Sequence, residues 1–175
     1  FIVRAIRNHT PQEINYANQK TISYSQFAVY NECPHKWELL YKQSLNEYQP
    51  TIHTVFGTAM HTTIQHYLTL MYEESGAAAD RIDLKEYFEE CFRETYLKDY
   101  KSNKNVHFSD PVEMREFYED GLAILNFVKK KRSGYFGKRG WFLVGCEVPL
   151  LLNPHSEFRT ILYKGYLDVV LYHEP

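Results

Sequence analysis

Two short segments carry side chains suited to holding a divalent metal ion. Gly57-Thr-Ala-Met-His61 places an imidazole near the opening of a helical pattern, and Gly165-Tyr-Leu-Asp168 places a carboxylate in an apolar strand about a hundred residues later. A neutral imidazole is a good ligand for a catalytic ion. A carboxylate amid Tyr166-Leu167-Asp168-Val169-Val170-Leu171 is costly to bury unless it is paired or binds metal. Magnesium prefers one or two protein carboxylates, with waters and phosphate oxygens filling its shell. Glu147 lies on the preceding apolar run and would reach the same cleft if the two runs pair antiparallel. Each residue also has a plainer reading. A lone helical His is commonly structural, Asp168 could sit on the solvent face of an edge strand, and Glu147 could orient a ligand without touching the ion or be a solvated strand charge. Gly57, four residues before His61 on the same helix face, leaves room for a backbone or phosphate to approach.

These residues need helices and strands to position them. Residues 1–20 are polar and irregular and read as a lead-in arm. Ser23 to Ser25 cap a short helix over Gln26–Glu32, and Pro34 opens a second through about Tyr41. A polar loop over 42–53 precedes a long helix from about Val55 to Glu74, with apolar residues at helical spacing. Gly76 and the small residues after it mark a turn. Asp83 caps a helix over Leu84–Tyr100, and Asp110-Pro111 starts another that runs to about Lys131, where Ser133-Gly134 breaks it. Trp141–Leu152 then reads as a strand, with Pro149 indicating an edge or bulge. Asn153-Pro154-His155-Ser156 reads as a turn, and Phe158–Tyr172 as a second strand pairing back as an antiparallel hairpin. A lone hairpin is marginal, so the sheet needs further strands or a covering helix.

Composition narrows the class. At 175 residues the chain fits one domain, long enough to fold without disulfides or structural metal. Its net charge of −2 confines any nucleic-acid contact to local basic patches. Three widely spaced cysteines and no CxxC argue for a reducing compartment and against a structural zinc site. Apolar runs are far too short to span a membrane, and no signal peptide is readable. Fifteen Tyr, eleven Phe and two Trp supply either a ring-filled core or exposed rings for base stacking. No repeat or low-complexity segment is present.

Taken in order, the motifs resemble the RecB-type and AddB-type nuclease domains of the PD-(D/E)xK superfamily, a group that also includes CRISPR adaptation nucleases. Ser23-Tyr-Ser-Gln-Phe-Ala-Val-Tyr-Asn-Glu-Cys-Pro34 resembles their opening segment. Gly57 to His61 matches the GxxxH motif, and Gly165 to Asp168 matches the glycine–x–x–aspartate strand. The resemblance runs from about Thr21 to Leu171, with residues 76–140 as a variable helical insert. It implies an α+β fold around an α/β core, restriction-endonuclease-like, with N-terminal helices and a hairpin of a mixed sheet. It further implies a metal-dependent phosphodiesterase in which His61 and Asp168 ligate Mg²⁺ or Mn²⁺; Glu147 is a candidate third ligand from its place on the preceding strand alone. Such an ion lowers the pKa of a bound water and neutralises charge building on the phosphate. In the family a following strand supplies an acidic residue, a spacer and a Lys. Here Asp168 is followed by Val-Val-Leu-Tyr-His-Glu-Pro, so that strand is expected beyond Pro175.

Two further expectations attach to the resemblance. Some relatives hold a [4Fe–4S] cluster with one Cys ahead of GxxxH, and Cys33 stands at the matching place. The plainer role for Cys33 is structural, packed against Trp37. The basic stretch Lys129, Lys130, Lys131, Arg132, Lys138 and Arg139, interleaved with Tyr135 and Phe136, suits contact with a DNA backbone. It equally suits the negative end of a helix. The functional expectation is a cytoplasmic DNA nuclease, bacterial, archaeal or phage-encoded. It would be an exonuclease of recombination, repair or phage DNA processing, with a helicase or recombination protein as partner. The competing expectation is a DNA-binding or scaffolding module of the same fold that lacks the chemistry. A helical interaction domain with a β-hairpin and no nuclease ancestry is the third.

Overall fold

The computed structural model of the protein describes residues 20–45, 49–137, 139–152 and 161–174. Strand β1 (Lys20–Ser23) leads into helix α1 (Tyr24–Glu32) and the short helix α2 (Pro34–Trp37), which continues as a π-helical turn over Glu38–Lys42. Four more helices follow: α3 (Ile52–Glu73), α4 (Gly76–Arg81), α5 (Leu84–Ser102) and α6 (Pro111–Tyr135). Strands β2 (Trp141–Leu152) and β3 (Ile161–His173) come next. The class is α+β, and the arrangement is consistent with the restriction-endonuclease-like fold. By internal packing the described residues of Phe1–Tyr48 and Cys146–Val170 form one compact unit, and those of Gln49–Gly145 and Leu171–Pro175 form another.

The helix starts follow from their caps. Ser23 Oγ accepts from Gln26 N at 3.3 Å, Asp83 from Lys85 N and Glu86 N, and Asp110 from Val112 N and Glu113 N. Each satisfies amide donors that the first helical turn leaves without an intrahelical partner. The long helix α3 begins three residues earlier than the apolar pattern indicates. Thr51 accepts from Thr54 N while Thr54 Oγ1 accepts from Thr51 N, a capping box with Thr in the place usually held by Glu or Gln. Two other expectations need correction. The segment after Ser75 is a helix rather than a turn, because Ser75 caps a run of alanines, the strongest helix formers. Helix α6 also passes through Ser133-Gly134 and ends at Tyr135. Its last turn is held from outside: Arg132 reaches across to α3 and α4, and Tyr72 on α3 donates its hydroxyl hydrogen to Phe136 O. Those contacts offset the roughly 1 kcal/mol that an interior glycine costs a helix.

The helical unit carries the core. Helix α3 packs chiefly on α5, and also on α4 and α6. Ile52, Val55, Ala59, Thr63, Tyr67 and Leu68 of α3 and Leu84, Phe88, Phe92 and Tyr96 of α5 are all buried. Phe88 is the hub, with Phe56 edge-on at 6.3 Å and Phe92 and Tyr118 stacked at 5.6 and 6.1 Å. Gly121 of α6 makes room for it, since a Cβ there would lie 2.4 Å from Phe88 Cζ. No helix among the described residues is long and apolar enough to cross a membrane.

In the other unit the sheet has the order β1-β3-β2. β1 runs parallel to β3, with Lys20 opposite Ile161 and Ser23 opposite Lys164. Glu174 N donates to Gly140 O at 2.8 Å, so the end of β3 lies beside the start of β2, in the antiparallel sense. Among the described residues β2 has a strand on one side alone, which accommodates Pro149 with no ladder bond lost from a central strand. The turn expected at 153–156 lies outside the described residues, as does most of the lead-in arm. None of the described residues of this unit is fully buried.

Candidate metal centre

The β2–β3 pair brings two predicted ligands together. Glu147 on β2 and Asp168 on β3 hold carboxylate oxygens within 4.8 Å of one another, and both side chains are exposed. Like charges this close repel by about 1 kcal/mol even in bulk water. A hard cation reverses that sign, and two magnesium–oxygen bonds together span about 4.2 Å. The donor set therefore fits a divalent ion of the Mg²⁺ or Mn²⁺ type.

Backbone geometry singles out Glu147 further. Its φ is +52°, in the left-handed region, in the middle of a strand. A residue with a side chain adopts this region at a cost of about 1–3 kcal/mol, and such residues cluster at functional sites. A single left-handed residue on an edge strand acts as a bulge does: it interrupts the pleat and re-aims the side chain. No residue type announces this in the sequence. Pro149, two positions on, is the one local sign of irregularity.

His61 lies on α3, about two and a half turns from its start at Ile52. Ile52, Val55, Ala59, Thr63 and Tyr67 face the core, and the exposed His61 falls on the opposite side with Thr54, Thr58 and Thr62. Those threonines turn their hydroxyls back onto the helix, Thr58 to Thr54 O and Thr62 to Thr58 O, each at 2.9 Å. A Cβ at Gly57 or at Gly165 would meet nothing within 4 Å, so neither glycine is demanded by packing. Both leave open space beside the motif residues.

Cys33 caps a helix. Its Sγ accepts from Lys36 N at 3.4 Å, while Trp37 takes Tyr30 edge-on at 5.6 Å. Among the described residues no metal-capable cluster includes a cysteine.

The basic stretch is helical up to Arg132 and divides by direction. Arg132 points inward, paired with Asp80, donating to Tyr67 Oη at 2.9 Å and to Gly76 O at 3.3 Å. Tyr67 in turn donates to Asp80 at 3.2 Å. The guanidinium hydrogen-bonded to Asp80 holds that carboxyl below its usual range, and burial pushes the Tyr67 phenol up. Lys129 borders a cleft of about 450 Å³ that Asp80 and Asp83 also line. Lys130 and Lys131 are exposed, Arg139 follows in a turn, and Lys138 lies outside the described residues. The inward set of Arg132, Tyr67 and Asp80 is invisible to a reading that treats the run as one patch.

Residues 21–170 match the family model of the PD-(D/E)XK nuclease superfamily. That superfamily consists of nucleases that use divalent metals and act on DNA. Neither a curated protein nor a solved structure matches the chain.

Proposed function

The chain belongs to the PD-(D/E)XK nuclease superfamily, and from that premise we propose that it is a metal-dependent DNA exonuclease of the RecB/AddB type. The observation that carries the reading is the Glu147–Asp168 pair, two exposed carboxylates within 4.8 Å with Glu147 held in a strained backbone conformation. Metal ligation by Asp168 and Glu147, with His61 of the GxxxH motif as a third ligand, is the proposed arrangement. A bound Mg²⁺ or Mn²⁺ would supply a polarised water and neutralise charge on the phosphate. Asp168 and Glu147 would hold the ion, His61 would fix its position from the helix, and the open space at Gly57 and Gly165 would admit the DNA backbone. We place the activity in the cytoplasm, in the processing of DNA ends during recombination, repair or phage replication. A helicase or recombination protein is the expected partner.

The test is digestion of end-labelled linear and closed circular DNA with Mn²⁺, in parallel with Mn²⁺ titration calorimetry. Linear DNA should be degraded and circular DNA spared. Asp168→Ala and His61→Ala should each lose more than about 100-fold in cleavage, beyond the 10–100-fold typical of residues that only support a ligand. Undiminished digestion by both variants would remove the metal-site assignment. Tight DNA binding with no cleavage by the unmodified protein would replace the enzyme with a DNA-binding module.

A further inference from the structure

The end of helix α6 carries an exposed face unexplained by the packing of the helical unit. Phe127, Lys131 and Tyr135 follow one another at intervals of four, so they lie on one side of the helix, with Lys130 beside them. Phe127 is 53% and Tyr135 62% exposed, high for rings that could be buried. Their centroids are 6.4 Å apart at 44°, two adjoining surfaces rather than a closed stack. The opposite side of the same turns is anchored. Arg132 is bound to Asp80, Tyr67 and Gly76 O, and Tyr72 donates to Phe136 O. The rings and lysines are thus presented on a turn that tertiary contacts hold in place. Charge is also graded along α6. Glu113, Glu116, Glu119 and Asp120 occupy its first half, whereas the exposed Lys130 and Lys131 flank the rings. A polyanion is repelled by the first half and attracted to the second.

We propose that this face binds single-stranded DNA. Successive unpaired bases would stack on Phe127 and Tyr135 while Lys130 and Lys131 contact the phosphates. Paired bases expose no face to a surface ring, so duplex DNA would gain only the lysine contribution. Stacking on an aromatic ring tolerates every base, and lysine–phosphate contact is equally blind to sequence. Such a surface would retain an unwound strand at a DNA end. The proposal deepens the exonuclease reading and rests on it for DNA as the ligand.

The experiment is fluorescence anisotropy with labelled (dT)20 and a 20-base-pair duplex, in EDTA, at several salt concentrations. Without metal, the result is independent of cleavage and of the ligands His61, Glu147 and Asp168. The unmodified protein should bind (dT)20 more tightly than duplex. Phe127→Ala with Tyr135→Ala should weaken (dT)20 binding by about 10-fold or more and leave duplex binding within twofold. Tyr135→Phe should retain affinity. Lys130→Gln with Lys131→Gln should reduce the salt slope for (dT)20 by about 1.4, two phosphate contacts at about 0.7 each. Absence of (dT)20 binding, or equal losses on single strand and duplex in the ring variant, would overturn the proposal. Metal-dependent digestion by that same variant would show that the nuclease reading survives.

Discussion

In the helical unit, the half-buried Arg132 ties its guanidinium to Asp80, Tyr67 and Gly76 O, and the ring-filled core is buried. In the sheet unit, Glu147 and Asp168 hold two like charges side by side and exposed, and none of the described residues is fully buried. The first arrangement satisfies its charges from within. The second sets two exposed carboxylates within 4.8 Å of one another, close enough for both to reach one ion. On the proposed reading, stability and chemistry lie in different parts of the chain, and substitutions should separate them.

The largest effect is expected at the helical core. Phe88→Ala removes a ring that touches Phe56, Phe92 and Tyr118, and should destabilise the protein by about 3–5 kcal/mol in urea unfolding. A loss under about 1 kcal/mol would mean that the core does not govern stability. Next is the inward ion pair. Arg132→Gln leaves Asp80 without its cation; because Asp80 is 39% exposed and screened by solvent, the cost should be about 1 kcal/mol at neutral pH. The sign of its pH dependence is set by Asp80, whose carboxyl is held below its usual range by the Arg132 hydrogen bond. Its contribution is complete above the ordinary carboxylate pKa of about 3.9 and is lost as the pH falls through the lower folded value. The difference in urea midpoint between Arg132→Gln and the unmodified protein should thus be constant from about pH 5 to 8 and shrink below about pH 4. A difference that grows on acidification would contradict the pairing.

The smallest effect is the sharpest test of the contrast. Glu147→Gly relieves a left-handed residue, a gain of about 1–2 kcal/mol that the extra backbone freedom of glycine cuts to about 0.5 kcal/mol of net stabilisation. The same change should weaken Mn²⁺ binding, measured by calorimetry on the same samples. A substitution that stabilises the fold and impairs metal binding marks a residue kept for chemistry. Destabilisation instead would make Glu147 part of the structure.

The local rules in the sequence carried far. Ser23, Asp83 and Asp110 start their helices because a short polar side chain reaches the free amide three residues on and, from the two aspartates, also the one two residues on. The strand over Trp141–Leu152 is legible because its β-branched and aromatic run is bounded by Gly140 and the Asn153-Pro154 turn signal. Strand β1 is not legible. Four residues carry no periodicity, and their partner lies more than a hundred residues away in β3. The helix over Gly76–Arg81 and the passage of α6 through Gly134 were obscured by glycine, whose local cost is outweighed by the Ser75 cap in one case and by Arg132 and Tyr72 in the other.

Among candidate site residues, types and order were readable and directions were not. His61, Asp168 and Glu147 could be named because imidazole and carboxylate at those motifs are the chemistry a divalent ion requires. Six basic residues could be named as a patch because they are adjacent in the chain. Only the tertiary structure decided that Glu147 adopts φ +52° beside Asp168, that Arg132 faces the core, and that Phe127 joins Tyr135 on an outer face. The physical reason is the range of the forces. Capping, turn chemistry and apolar periodicity act over a few residues and are written in the local sequence. The side from which a charge is satisfied depends on partners brought near by folding, and no spacing along the chain encodes it.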